Sequence, residues 1–231
     1  MLTLGIDTAT AAGSVALMDD ERLVGLRLLD AGVQHSRRVF VEIDSLLTAA
    51  AVVPGQLGAV AVTIGPGSFT GLRLGLSAAK GICLATGAAL VPVGTLAALA
   101  ARVPFCQYPV CALLDARKGE VYAGVYGTET GWPEELETPR ALTPATLAAA
   151  RSGLPTVYIG DGALVWREPL AALGDAAHWA PALLARPDAA TVAALGRRRL
   201  ATHPAADLAG IEPDYLRAPD ARPGPPPLGR P

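Results

Sequence analysis

Two aspartates, each ending an apolar run and opening a short turn, form the pattern in this chain most able to do chemistry. Asp7 follows Leu2-Thr3-Leu4-Gly5-Ile6 and leads into Thr8-Ala9-Thr10, while Asp115 follows Val110 to Leu114 and leads into Ala116-Arg117-Lys118-Gly119. Paired carboxylates can act as acid and base, provided the fold turns them toward each other. The third candidate is Gly65-Pro66-Gly67-Ser68-Phe69-Thr70-Gly71-Leu72-Arg73. Three glycines and a proline in seven positions demand a sharp turn, and Ser68 or Thr70 can cap a helix behind it whose first amides carry partial positive charge. Such a corner suits an anion, or a partner pressed against bare backbone. It has neither the Lys of the Gly-rich phosphate loop nor the spacing of the dinucleotide fingerprint. Ser68 also lacks the glycines two positions either side that mark a hydrolase nucleophile.

Other reactive groups are sparse. His35, His178 and His203 have no second His or carboxylate at helical ligand spacing, so no metal site is expected. Cys83, Cys106 and Cys111 are odd in number and sit among apolar neighbours, which predicts buried reduced thiols. A net charge of -2 provides no basic field for holding nucleic acid. No stretch reaches the roughly 18 uninterrupted apolar residues of a membrane span. No basic segment precedes the first apolar run and Asp7 ends it, so a secretory signal is not expected and the protein is placed in the cytoplasm.

The elements that must position these residues read as α/β. Leu2 to Asp7 and Ser14 to Met18 alternate as a hairpin with a third strand over Arg22 to Leu29. A helix opening at His35-Ser36 buries Val39, Ile43, Leu46, Leu47 and Ala50, leaving Phe40 and Val41 off the stripe. Val60 to Ile64 is a buried strand, and a helix from about Thr70 to Thr86 follows, with a small-residue face of Gly75, Ala78, Ala79 and Ile82 that another helix could approach. Leu90 to Val93 and Thr95 to Ala101 add a strand and a short helix. Val110 to Leu114, Asp115, a turn, then Glu120 to Tyr126 repeat the opening order of strand, Asp, turn, strand, which predicts two lobes of similar topology. Thr128 to Pro139 reads as a loop, Pro144 to Arg151 as a helix, and Thr156 to Ile159 as a strand emptying into Gly160-Asp161-Gly162. His178-Trp179 reads as a short edge strand. Asp188 caps a helix through Leu200 whose Arg197-Arg198-Arg199 run is expected on a solvated face. The expected division is a first lobe over 1–103, a second over 104–217 with part of the C-terminal segment packing back on the first, and a disordered Pro-rich tail over 218–231.

Taken together, Ile6-Asp7-Thr8-Ala9-Thr10, the nine residues from Gly65 to Arg73, Asp115-Ala116-Arg117 with Glu120-Val121-Tyr122, and Pro213 with Tyr215-Leu216-Arg217 resemble the TsaB (YeaZ, glycoprotease-like) family of bacterial tRNA threonylcarbamoyladenosine biosynthesis proteins. The resemblance runs from Met1 to about Arg217. It implies an actin-like, Hsp70-like and sugar-kinase-like fold of two lobes. It also implies a partnership with the catalytic, metal-binding paralogue TsaD as a heterodimer and with the ATPase TsaE in a ternary complex. That complex transfers a threonylcarbamoyl group to the adenosine beside the anticodon of tRNAs reading codons that begin with A. In TsaD a His-x-x-x-His metal pair lies on the helix after the strand matching Leu90 to Val93, and here Thr95 and Leu99 stand in its place. Kinases of this superfamily carry Gly two residues after the first Asp, where this chain has Ala9.

The resemblance therefore implies a chain with no catalytic residues and no metal, whose Asp7, Thr8, Thr10, Gly65, Gly67, Ser68, Gly71, Asp115 and Arg117 are vestiges of phosphate-handling turns. It implies no tightly bound cofactor, with ATP or ADP only at the interface of the complex. It places the partner surface on first-lobe helices, here His35, Phe40, Val41, Phe69, Arg73, Gly75, Ala78 and Ile82, with tRNA reached indirectly, no membrane contact, and self-pairing when the partner is absent. The alternative is an enzyme acting alone, either a peptidase or a phosphotransferase of the same fold.

Overall fold

Apolar alternation in Leu2–Asp7 (β1) sends Leu4 and Ile6 to one face of a sheet and Thr3 and Gly5 to the other. The structure, a computed structural model, describes residues 1–30 and 35–217, without the side chains of 29, 30 and 35–37. The Pro-rich stretch 218–231 and the His35 side chain lie outside the described residues. β1 pairs antiparallel with β2 (Ala12–Asp19), and β2 with β3 (Arg22–Asp30). β4 (Leu57–Gly65) then runs parallel to β1, and β5 (Ala89–Gly94) parallel to β4, giving the order β3-β2-β1-β4-β5.

The second half repeats the plan. β6 (Val110–Arg117), β7 (Glu120–Gly127) and β8 (Glu134–Leu142) form an antiparallel meander, and β9 (Thr156–Ile159) and β10 (Ala177–Trp179) join it in parallel, in the order β10-β9-β6-β7-β8. Read from the meander edge, both sheets run third, second, first, fourth, fifth. This is the two-lobed actin-like α/β architecture. β8 corrects the loop expected over Thr128 to Pro139. It is an edge strand, so Glu134 and Glu135 stay solvated while Glu137 pairs with Arg151 at 2.8 Å, and Pro139 falls where the pairing register with β7 skips.

Helices α1 (His35–Ala49) and α2 (Phe69–Thr86) cover one face of the first sheet, burying Val39, Ile43 and Leu46 with Leu76 and Cys83 against Leu4, Ile6 and Val60. Each fully buried Leu or Ile here contributes roughly 1.5–3 kcal/mol. α4 (Pro144–Arg151) and α5 (Asp161–Val165) cover one face of the second sheet. The remaining faces are covered crosswise. α3 (Thr95–Ala100) follows β5 yet packs Leu96 and Leu99 on Val110, Ala112 and Leu114 of the second sheet. α6 (Ala189–Leu200) comes late in the chain but packs Val192 with Ala59, Ala61 and Val91 of the first. The chain after α6 also returns to the first lobe, where Ala206 N–H donates to the Leu90 carbonyl and Asp214 N–H to that of Ile64. The two lobes are thereby tied together by α3, α6 and the C-terminal segment.

Candidate functional site

β1 delivers Asp7 to the end of the first sheet, where it is fully buried. Its Oδ1 accepts the Thr63 hydroxyl at 2.8 Å and the Ala9 N–H at 3.1 Å, while Oδ2 has no partner among the described residues. Desolvation outweighs these bonds and, with the neighbouring negative charge of Asp188, pushes the carboxyl up to about 7. Above the aspartate, the turn Thr8–Ala9 is pressed under the Gly-rich corner. Ser68 N–H donates to the Ala9 carbonyl at 2.7 Å, and the Thr8 hydroxyl donates to the Gly71 carbonyl at 2.7 Å.

The glycines of the corner exist for this contact. A Cβ on Gly71 would run into the Thr8 carbonyl oxygen, one on Gly75 into the Thr8 hydroxyl, one on Gly67 into the Ala9 carbonyl oxygen, and one on Gly65 into that of Asp214. Ser68 is the helix cap, its Oγ accepting the Gly71 N–H at 3.3 Å. The corner thus clamps the chain's own first turn.

The second aspartate sits differently. Asp115 Oδ1 accepts the Arg117 N–H at 3.1 Å, the same two-residue turn that Asp7 makes with Ala9, and also accepts the Trp166 indole N–H at 3.3 Å. Its own N–H donates to Asp161 Oδ1 at 3.0 Å, and burial raises the Asp161 pKa above the usual carboxylate range. Arg117 and Lys118 occupy left-handed backbone at the tip, with φ of 61° and 53°.

Asp115 and Asp161 line a cleft of about 530 Å³ between the lobes. Its opposite wall is the turn 9–11 with Gly67, Ser68 and Phe69, and Tyr122, Tyr215 and Arg217 close one side. The C-terminal segment spans this mouth. Tyr215 stacks on Phe69 with ring centroids 5.1 Å apart and accepts the Arg73 Nε–H at 3.0 Å, while Arg217 pairs with Glu120 at 3.0 Å. Asp7 lies beneath the wall and does not line the cleft, so the two aspartates form no working pair. Among the described residues no imidazole or thiol lines it either. Cys83 and Cys111 are buried and pushed up by desolvation to about 11 and about 12, so they remain thiols. Among the described residues no group of three His, Cys, Asp or Glu side chains is placed to hold a metal ion. Thr95 and Leu99, where the resemblance sets a His pair, are fully buried, and neither side chain is a strong ligand for a transition metal.

The small-residue face of α2 requires correction. Gly75 packs on Thr8 and Ala78 belongs to the core between α2 and the sheet, so neither is available to another chain. Ile82 is half-buried against the same core. What the two helices leave outside is Phe40 at 52% exposure, Val41 at 61% and Leu84 at 81%, together with Arg73 and the edge of Phe69. Leu84 carries no sequence signal of its own, because an apolar side chain there fits the helix pattern as well as a core residue does. Asp161 was visible only as part of an ordinary strand-to-helix turn, and no sequence signal joins it to Asp115.

Residues 29–224 match the family model described as TsaD: tRNA N6-adenosine threonylcarbamoyltransferase. The tRNA threonylcarbamoyladenosine biosynthesis protein TsaB of Escherichia coli is 34% identical over 172 residues, covering 72% of this chain and 74% of that protein. The Bacillus subtilis protein of the same name is 27% identical over 224 residues, 96% of each chain. Among solved structures, YeaZ from Pseudomonas aeruginosa superposes with a TM-score of 0.81 at 27% identity, covering 93% of this chain and 99% of that one. A ROK hexokinase from Thermus thermophilus, at 13% identity and a TM-score of 0.52 over 88% of this chain and 100% of that one, shares the fold alone.

Proposed function

Since the chain belongs to the TsaB (YeaZ) family of tRNA threonylcarbamoyladenosine biosynthesis proteins, we propose that it is the non-catalytic partner of a TsaD-type transferase in that tRNA modification. The observation that carries this reading is the clamped first turn. The N–H groups of Ser68 and Ala9 are spent on the Ala9 carbonyl and the Asp7 carboxylate, and Gly71 lies against the backbone of Thr8, so the donors a phosphate would need at this turn are engaged within the chain even though residues 9–11 face the cleft. The residues at 95 and 99 do not fit a metal, and the carboxylates at the cleft are engaged in their own turns.

With chemistry withdrawn, surface remains. Phe40, Val41 and Leu84 stand out from α1 and α2, and burial of side chains this large against a partner helix pair is the usual source of a stable heterodimer. In this reading TsaD docks there, a TsaE-type ATPase completes a ternary complex, and any ATP or ADP sits at a junction between chains. In the absence of TsaD the same face pairs two copies. The setting is the cytoplasm, where tRNA is modified; no helix among the described residues is long and apolar enough to cross a membrane.

Reconstituted threonylcarbamoyl transfer, with and without the chain, tests the proposal. Transfer that depends on this protein and persists when Asp115 is changed to Asn supports it. Transfer indifferent to its omission, or peptide cleavage or ATP turnover by the purified chain that Asp115→Asn abolishes, refutes it.

A further inference from the structure

A second groove, sharing no residue with the cleft, lies where the end of β5, α3 and the last turn of α6 meet the loop before β8. Its volume is about 410 Å³. Val93, Ala97 and Leu195 give it an apolar floor, and Arg198, Arg199 and His203 stand exposed at its rim. The neighbouring Arg197 is answered within the chain by Glu21 at 3.0 Å, but Arg198 and Arg199 form no ion pair among the described residues. Arg198 is also held in place, its guanidinium carbon 5.1 Å from the ring centroid of Trp132. A guanidinium over an aromatic face keeps N–H donors that can meet a phosphate. The carbonyls of Arg197, Arg198 and Arg199 accept the N–H groups of Ala201, Thr202 and His203.

We propose that this groove contacts RNA, with phosphates on Arg198 and Arg199 and an unstacked base or ribose edge against the apolar floor. The inference rests on the functional reading above and makes the tRNA contact direct, where the resemblance places it through the partner. An acidic peptide could meet the two guanidinia. We favour RNA because two exposed guanidinia with no ion pair among the described residues offer charge-assisted bonds to successive phosphates, with an apolar floor beside them for a base or ribose. With a net charge of -2 the chain as a whole does not attract a polyanion, so the contact is local and adds to binding by the assembled complex.

The test is fluorescence anisotropy of a labelled tRNA with the full chain plus the TsaD-type transferase. Wild type is compared with the Arg198→Glu/Arg199→Glu double variant and with Trp132→Ala. The double variant should bind about tenfold more weakly near 0.1 M salt and lose roughly one to two from the slope of log affinity against log salt. Trp132→Ala should weaken binding with little change of slope. Equal affinities and slopes in all three proteins overturn the inference. So does a double variant that slows transfer at saturating tRNA while binding tRNA normally, since the groove would then hold a protein. If transfer requires the chain and the variants bind tRNA as wild type does, only this inference fails; if transfer ignores the chain, the functional reading fails whatever the groove binds.

Discussion

Replacing Asp7 with Asn should change the way this protein's stability depends on pH. The carboxyl is buried, and its desolvation, helped by the negative charge of Asp188, outweighs the two hydrogen bonds on Oδ1 that favour the ionised form, raising it from an ordinary 3.8 to about 7. Between those two values the folded state keeps a proton that the unfolded chain has released. Stability therefore falls as pH rises through this window; the stabilising contribution is complete below about pH 4 and gone above about pH 7. The gap of about three pH units corresponds to at most about 4 kcal/mol, or about 1.4 kcal/mol for each unit of pH within the window. Asn keeps the shape and the accepting oxygen but cannot titrate. Urea unfolding of wild type and Asp7→Asn at half-unit steps from pH 4.5 to 8 gives the difference between the proteins directly, and this cancels the similar trend from Asp161, whose raised pKa is present in both. The difference should move toward the variant as pH rises and then level off near pH 7. Two parallel stability curves would show that Asp7 is ionised in the fold, and the account of its burial would be wrong.

Two further outcomes separate surface from core. Phe40→Glu or Leu84→Glu should abolish copurification with the TsaD-type partner while moving the thermal midpoint by less than about 2 °C, because both side chains are exposed in the free chain; retained copurification, read by affinity pull-down, removes the α1–α2 face from the proposal. Gly71→Ala should cost about 1–3 kcal/mol in urea unfolding, since its Cβ meets the Thr8 carbonyl oxygen and the clamp must open to admit it; a neutral result would mean that corner and turn are not in contact.

Much of the architecture was legible because the chain writes it twice. Strand, Asp, turn and strand occur at Leu2 to Met18 and again at Val110 to Tyr126, and the structure returns the same sheet order and the same bond from each Asp to the N–H two residues on. β8 was missed for a physical reason: an edge strand needs neither apolar alternation nor an N–H at every position, so Glu134 to Pro139 reads as loop. The crosswise covering of the lobes was only partly foreseeable. Periodicity shows that α3 and α6 each have a buried side, but not which sheet lies under it.

The same limit governs the site. The block from Gly65 to Arg73 is the most distinctive stretch of the chain, and its composition suggested an anion or a foreign chain at the corner. Each of Gly65, Gly67, Gly71 and Gly75 instead lacks a Cβ because the protein's own backbone or Thr8 fills that space. A close approach leaves the same glycine signature whether the approaching group is a ligand or the turn of a neighbouring strand, so the signature alone cannot tell a site from a joint. Leu84 shows the converse: spacing sets Phe40 and Val41 off the buried stripe of α1, but nothing in the sequence distinguishes Leu84 from a core residue until the opposite side of α2 is seen to be filled. The residues with a motif therefore hold this fold together. The surface proposed for a partner is completed only by what the fold leaves unburied: Ala78, small and well placed by its spacing, belongs to the core, while Leu84 six positions on does not.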